Sequence, residues 1–288
     1  MDAAPFSLNA GDGTTLSGER SGESPGGAPA VVLLHGLTAT RRYVVMGSRS
    51  LQRSGHDVIA YDARGHGASS PAAGGDYSYG RLAADLTDVL DAAGVERAVL
   101  AGASMGAQTA VRLALEQPGR VAGLVLITPA FDPRRETTEA ELAHWDALAS
   151  GLREGGAEGF VAAYDLTGVS ESMRETVTTV LRQRLSAHEH PEAVADALEA
   201  VPRSRPFESM EELEAIAVPT VVVASRDDVD PGHPLAVGEA WAKAIPGARL
   251  LVEEESVPPR SPIAWQGGQL SRVIAEVAAQ ALPAAAQR

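Results

Sequence analysis

The pentapeptide at residues 102–106, GASMG, constrains the fold of this chain more than any other segment. An apolar run at residues 99–101 precedes it, and a helix-like run at residues 108–116 follows. This order predicts a buried strand that turns sharply into a helix at Ser104, because only small neighbours fit so tight a turn. The turn is expected to hold the serine hydroxyl at the C-terminal edge of a sheet, at a helix N-terminus whose dipole favours negative charge.

Short apolar runs alternate with helical patterns over most of the chain. The strand-like runs are residues 31–34, 58–61, 99–101, 124–127, 218–223 and 250–252. Continuous apolar strands separated by helices predict an α/β fold, with a mostly parallel twisted sheet covered by helices on both faces. A Gly-Asp-Gly turn at residues 11–13 predicts an opening hairpin. Ligands of such sheets bind at the carboxyl ends of the strands.

The alternation stops between residues 132 and 207, where no strand-like run occurs. Thr138 and Glu141 form a capping-box signal, and four short helical patterns follow in this segment. We therefore expect a helical lid at 132–207, inserted between two parts of an α/β core at 1–131 and 208–288. The alternative is a helical subdomain with no role in the site.

Composition narrows the classes of function. The 288 residues include no cysteine, which excludes disulfides, thiolate metal sites and a cysteine nucleophile. The formal net charge of −14 disfavours nucleic acid as a partner. No apolar run reaches the roughly 18–20 residues of a membrane helix, and no secretory signal is recognisable at the N-terminus. We expect a cytoplasmic protein that acts on a small molecule, without a metal, a cofactor or a membrane. These patterns assign no oligomeric state.

Four segments, taken together, resemble the α/β-hydrolase family in their order and separation. They are HGLTAT at 35–40, YDARGHGASS at 61–70, GASMGA at 102–107 and the strand with its following acidic segment at 218–231. The resemblance extends from about Pro5 to Gln280. It implies that Ser104 is a nucleophile and that the backbone amides of Leu37 and Met105 form an oxyanion hole. It also implies that the motif at 62–67 is structural, so no catalytic role is expected for His66. His35, directly after the strand at 31–34, is interpreted as a structural histidine rather than a base.

The acid that the family places after its next-to-last core strand falls in the segment ASRDDVDP, residues 224–231. The resemblance nominates Asp227 as this acid. Asp228 and Asp230 remain as alternatives, because the end of a strand is uncertain by about two residues in a sequence prediction.

The histidine that the family keeps after its last strand is absent, since no histidine follows His233. Arg260 stands in that place and cannot accept a proton, so its expected role is an ion pair with Asp227. His233, on the loop after the acid strand, is the candidate base. The alternative is that His233 only begins the next helix and faces solvent or the lid. Further candidates are His144, His188 and His190 in the lid and Glu253, Glu254 and Glu255 at the last strand.

The leading interpretation is a carboxylesterase-like serine hydrolase that acts on a small ester or acyl compound. One alternative is a catalytically weak or inactive protein that binds a small molecule, and another is cofactor-free lyase or perhydrolase chemistry in the same pocket. Arg203 and Arg205, at the lid exit, are candidates for binding a substrate carboxylate or, alternatively, for pairing with surface acids.

Overall fold

The computed structural model describes residues 3–22, 28–167, 169, 171–228, 230, 232–254 and 265–282. Within these ranges the strands are β1 (Ala4–Asn9), β2 (Thr15–Ser21), β3 (Ala30–Leu34), β4 (Val58–Tyr61), β5 (Ala98–Ala103), β6 (Val121–Ile127), β7 (Thr220–Ala224) and β8 (Arg249–Val252). The α-helices are α1 (Ser50–Arg53), α2 (Tyr79–Ala92), α3 (Met105–Glu116), α4 (Glu139–Ala163), α5 (Glu171–Leu185), α6 (Pro191–Ala200), α7 (Leu235–Ala244) and α8 (Gly267–Gln280).

The strands form one sheet in the order β1-β2-β4-β3-β5-β6-β7-β8. Strand β2 runs antiparallel to β1 and to β4, and the remaining neighbours are parallel. The predicted α/β fold, with its mostly parallel sheet and opening hairpin, is confirmed. Strand β5 lies between β3 and β6, so a residue that follows β5 emerges where three strand ends meet.

Both faces of the sheet are packed against helices. Alternate residues of a strand point to opposite sides of the sheet, so neighbouring residues enter different apolar clusters. Val32 and Leu34 pack in the cluster that includes Trp241 of α7, and this cluster also contains residues of α2 and α3. Val31 and Leu33 belong to a second cluster, formed with α1 and α8. Burial on both faces explains why these strands read as continuous apolar runs rather than as alternating ones.

Helices α4, α5 and α6 lie between β6 and β7 in the chain, and we call them the helical insertion. They share a small apolar core that includes Leu148, Phe160 and Leu198. The first two predicted helices correspond to the two arms of α4, which breaks at Gly156 with φ 59° and ψ −145°. None of the helices within the described ranges is both long and apolar enough to cross a bilayer.

Candidate active site

Ser104 occupies the turn between β5 and α3, with φ 49° and ψ −113°, a conformation that side-chain-bearing residues rarely adopt. The flanking glycines have no room for a side chain. A Cβ on Gly102 would lie 2.2 Å from the carbonyl oxygen of Gly106, and a Cβ on Gly106 would lie 2.2 Å from that of Leu34. The sharp strand-to-helix turn therefore needs both glycines, and it leaves Ser104 partly exposed at the strand end.

His233 contacts the serine hydroxyl. Its Nε2 lies 2.9 Å from Ser104 Oγ, and its Nδ1 lies 2.9 Å from each carboxylate oxygen of Asp230. The backbone amide of His233 also donates to the carbonyl of Asp230, at 3.1 Å, so a turn fixes the spacing of the two side chains. An Nδ1–H that donates to the carboxylate leaves Nε2 as the acceptor for the hydroxyl proton.

Asp227, the acid expected from the sequence, has a different partner, and this expectation is corrected. Its carboxylate accepts a hydrogen bond of 2.7 Å from the backbone amide of Leu235, the first residue of α7. Asp228 lies 3.7 Å from Arg226 at the surface. Asp227 satisfies an amide that has no partner within the helix, so Asp230 is the carboxylate that contacts the histidine.

The expected ion pair between Arg260 and Asp227 involves a residue that lies outside the described residues, as does the alternative base Glu255. Of the remaining glutamates named from the sequence, Glu253 accepts a hydrogen bond of 2.7 Å from the backbone amide of Arg226.

The two backbone amides expected to form an oxyanion hole lie on the segments that meet at Ser104. The loop after β3 approaches the turn closely, because a Cβ on Gly36 would lie only 3.4 Å from that of Ser104. The next amide in this loop belongs to Leu37, and the amide of Met105 opens α3. Neither amide donates a hydrogen bond to another of the described residues. Both donors therefore remain free to stabilise an anion beside Ser104.

Three other histidines, two of them buried and His188 half-buried, lie together at the loop after β3. In each ring one nitrogen donates and the other accepts. His35 bonds to Gly36 O and Ala63 N, His66 to Arg64 O and Thr38 N, and His188 to Thr38 O and Gly67 N. Burial lowers the pKa of all three, and that of His188 falls to about 4. Because both nitrogens of each ring are occupied, these side chains are neutral structural histidines.

The two arginines named as candidates for a substrate carboxylate have surface partners. Arg203 pairs with Asp146 and Arg205 with Glu208, each at 2.8 Å. His144 is exposed on α4, and His190 directly precedes α6. Across the ranges that the structure describes, no group of three or more histidine, aspartate or glutamate side chains is arranged to hold a metal ion.

Arg184 is a residue near the site that sequence reasoning did not select. It lies in the last turn of α5, and its Nη2 donates to Thr38 Oγ1, in the loop beside Ser104. Nothing in the local sequence distinguishes it from Arg182, because only the packing of α5 on the core decides which of the two faces inward.

Comparisons with known proteins show similarity over most of the chain. A model of the family described as "alpha/beta hydrolase fold" matches residues 29–256. The protein named "Putative carbamate hydrolase RutD" from Variovorax paradoxus is 30% identical over 209 residues, which cover 71% of this chain and 76% of the relative.

Two solved structures are similar over most of their length. A thermophilic esterase from Thermogutta terrifontis superposes with a TM-score of 0.71 at 27% identity, covering 96% of this chain and 97% of the esterase. A hydrolase from Pseudomonas aeruginosa PA01 has a TM-score of 0.66 at 28% identity, covering 86% of this chain and 89% of the hydrolase.

Proposed function

This chain belongs to the α/β-hydrolase fold family, and we propose that it is a serine hydrolase that cleaves small esters through Ser104. The observation that carries the proposal is the 2.9 Å hydrogen bond between His233 Nε2 and Ser104 Oγ. An imidazole at this distance can take the hydroxyl proton, which supports catalysis over a fold that only binds a ligand.

The proposed acylation step begins when Ser104 Oγ attacks the ester carbonyl and its proton passes to His233 Nε2. The carbonyl oxygen becomes an anion, which accepts hydrogen bonds from the amides of Leu37 and Met105. Asp230 holds the tautomer of His233 and stabilises the imidazolium. The carbon–oxygen bond to the alcohol then breaks, and the imidazolium gives its proton to that alcohol. The products of this step are the free alcohol and an acyl-serine.

The proposed deacylation step repeats this chemistry with water as the nucleophile. His233 takes a proton from the water, whose oxygen attacks the acyl carbonyl. The tetrahedral anion again faces the two amides, and the bond to Ser104 Oγ breaks as His233 returns the proton to that oxygen. The carboxylic acid leaves, and the site returns to its starting state.

We further propose that residues 132–207 act as a lid over the strand ends. The side chain of Leu37 packs both against the core of the helical insertion and against a cluster that contains Met105. His188 donates to Thr38 O, which ties the insertion to the same loop. A substrate that reaches Ser104 would thus pass between the insertion and the sheet, where water is partly excluded.

Labelling with a fluorophosphonate and hydrolysis of p-nitrophenyl acetate test the proposed function. We expect wild type to label and to hydrolyse the ester, and Ser104→Ala to do neither. His233→Ala should reduce turnover by about 10⁴- to 10⁶-fold, because the hydroxyl loses its base. His144→Ala, a matched change at an exposed histidine, should retain the wild-type rate.

Ester hydrolysis that survives Ser104→Ala would overturn the assignment of the nucleophile. A His233→Ala variant as active as His144→Ala would overturn the assignment of the base. If wild type neither labels nor hydrolyses any ester, the proposed serine chemistry fails as a whole.

A further inference from the structure

The guanidinium of Arg184 carries unsatisfied donors beside the candidate active site. Its Nη2 donates to Thr38 Oγ1, and Thr38 directly follows Leu37 in the loop after β3. Its Nε is buried and has no acceptor, and Nη1 has none among the described residues either. A guanidinium has five N–H donors and no acceptor, so most of its hydrogen-bonding capacity here is unused.

Among the described arginines that are not exposed, Arg184 differs from the others in having no acidic partner. Every other described arginine that is not exposed has a carboxylate within 4.0 Å, whereas no described carboxylate is that close to Arg184. With a net charge of −14 the chain does not lack carboxylates. Burial lowers the pKa of Arg184, because removal from water disfavours the charged form. An unpaired, largely desolvated cation costs stability, which a bound anion would restore.

The charged side chain of Arg184 lies near a group of the proposed catalytic site. The Asp230 carboxylate, which bonds to His233, is near enough to act electrostatically on the guanidinium, and so are the phenols of Tyr43 and Tyr164. These groups come from three elements, namely the loop after β3, the C-terminus of α4 and the loop after β7. The guanidinium therefore lies where the helical insertion meets the catalytic loops.

We propose that Arg184 forms an anion subsite that binds a carboxylate of the substrate, so that the substrate is an ester or lactone that also bears a free carboxylate. This inference rests on the proposed function and specifies its substrate class. Arginine suits the role because its planar group donates two hydrogen bonds at once to a carboxylate. The carboxylate is held by Arg184 while the ester carbonyl lies between Ser104 and the two amides.

Two chromogenic esters of similar size test the subsite. Neutral p-nitrophenyl butyrate is compared with the mono-p-nitrophenyl ester of glutaric acid, whose acyl chain ends in a carboxylate. We expect wild type to prefer the anionic ester in kcat/KM. Arg184→Met should lower kcat/KM for the anionic ester by about ten- to a hundredfold, the usual effect of losing a charged hydrogen bond, and leave the neutral ester nearly unchanged.

Two control variants separate charge recognition from a structural role. Arg182→Met makes the same change on the same helix, at a half-exposed arginine that pairs with Glu158, and should keep the preference. Thr38→Ala removes the hydroxyl that Arg184 bonds but keeps the charge, so it should also keep the preference. If Thr38→Ala and Arg184→Met reduce both esters equally, Arg184 only positions the loop and the proposal is overturned. A wild type without any preference would also overturn it.

A binding experiment tests the anion subsite independently of ester hydrolysis. Glutarate should raise the thermal midpoint of Ser104→Ala, which retains the guanidinium, and should have no effect on Ser104→Ala/Arg184→Met. Glutarate binding without ester hydrolysis would contradict the proposed function alone. Ester hydrolysis with no effect of glutarate and no preference for the anionic ester would contradict the subsite alone.

Discussion

The loop between β7 and α7 contains three aspartates whose side chains have different partners. Asp230 bonds to the imidazole of His233 through both oxygens, whereas Asp227 bonds to the amide that opens α7. The difference separates a carboxylate that can set the tautomer of a base from one that stabilises a helix start.

Asp230→Asn and Asp227→Asn make the same small change at these two positions. We expect Asp230→Asn to lower kcat by about 10³- to 10⁴-fold, because an amide can donate to Nδ1 and so favour the wrong imidazole tautomer. Asp227→Asn should retain the wild-type rate, since its amide oxygen still accepts from Leu235. Steady-state kinetics on p-nitrophenyl acetate measure both. The reverse result would return the role of the acid to Asp227.

The sequence predicted most of the proposed site, but it nominated Asp227 as the acid and kept Asp230 only as an alternative. The tight glycine-flanked turn indicated Ser104. The amides of Leu37 and Met105 were predicted because one lies in the loop after the strand at 31–34 and the other directly follows the serine. His233 was a candidate because it follows the acid strand, yet the favoured interpretation of this residue was a helix start that faces solvent or the lid. The i, i+3 spacing from Asp230 was the signal that could have linked acid and base, because a turn of this length brings both side chains to one side.

Within the helical insertion, the two arms of α4 pack through glycines. A Cβ on Gly159 would lie 2.0 Å from the carbonyl oxygen of Gly151, while Gly155 is exposed, with nothing within 4 Å of its Cβ position. The helical periodicity of the segment predicted two helices, but the sequence did not indicate that small residues would let their backbones touch. That contact depends on the break at Gly156, and the break is visible only in the folded structure.

Gly159→Ala and Gly155→Ala test this packing with one matched change. We expect Gly159→Ala to lower the free energy of unfolding by about 1–3 kcal/mol, because the added methyl group meets backbone that cannot yield. Gly155→Ala should raise it by about 0.5–1 kcal/mol through helix propensity alone. Urea unfolding followed by circular dichroism measures both. Equal shifts in the two variants would exclude a close contact between the arms.

His188 joins the helical insertion to the core through two hydrogen bonds. Gly67 N donates to its Nδ1 at 2.8 Å, and its Nε2 donates to Thr38 O at 2.9 Å. Protonation would place a hydrogen on Nδ1, where Gly67 N already points, and would add charge beside His35 and Arg184. Desolvation by burial is the main reason that the pKa of His188 is held near 4, although the Asp62 carboxylate acts in the opposite direction.

This depressed pKa predicts how the stability of the protein depends on pH. An unfolded histidine binds a proton below about pH 6.5, whereas folded His188 binds one only near pH 4, so the unfolded chain takes up the proton first. The contribution of His188 to the free energy of unfolding is therefore complete above pH 6.5. It is lost as the pH falls towards 4, by up to about 3 kcal/mol. His188→Gln should therefore be less stable at pH 7 but lose less stability between pH 7 and 4.5, as measured by urea unfolding. The exposed-site variant His144→Gln should follow the wild-type slope, and an unchanged slope in His188→Gln would show that this histidine does not couple the insertion to protons.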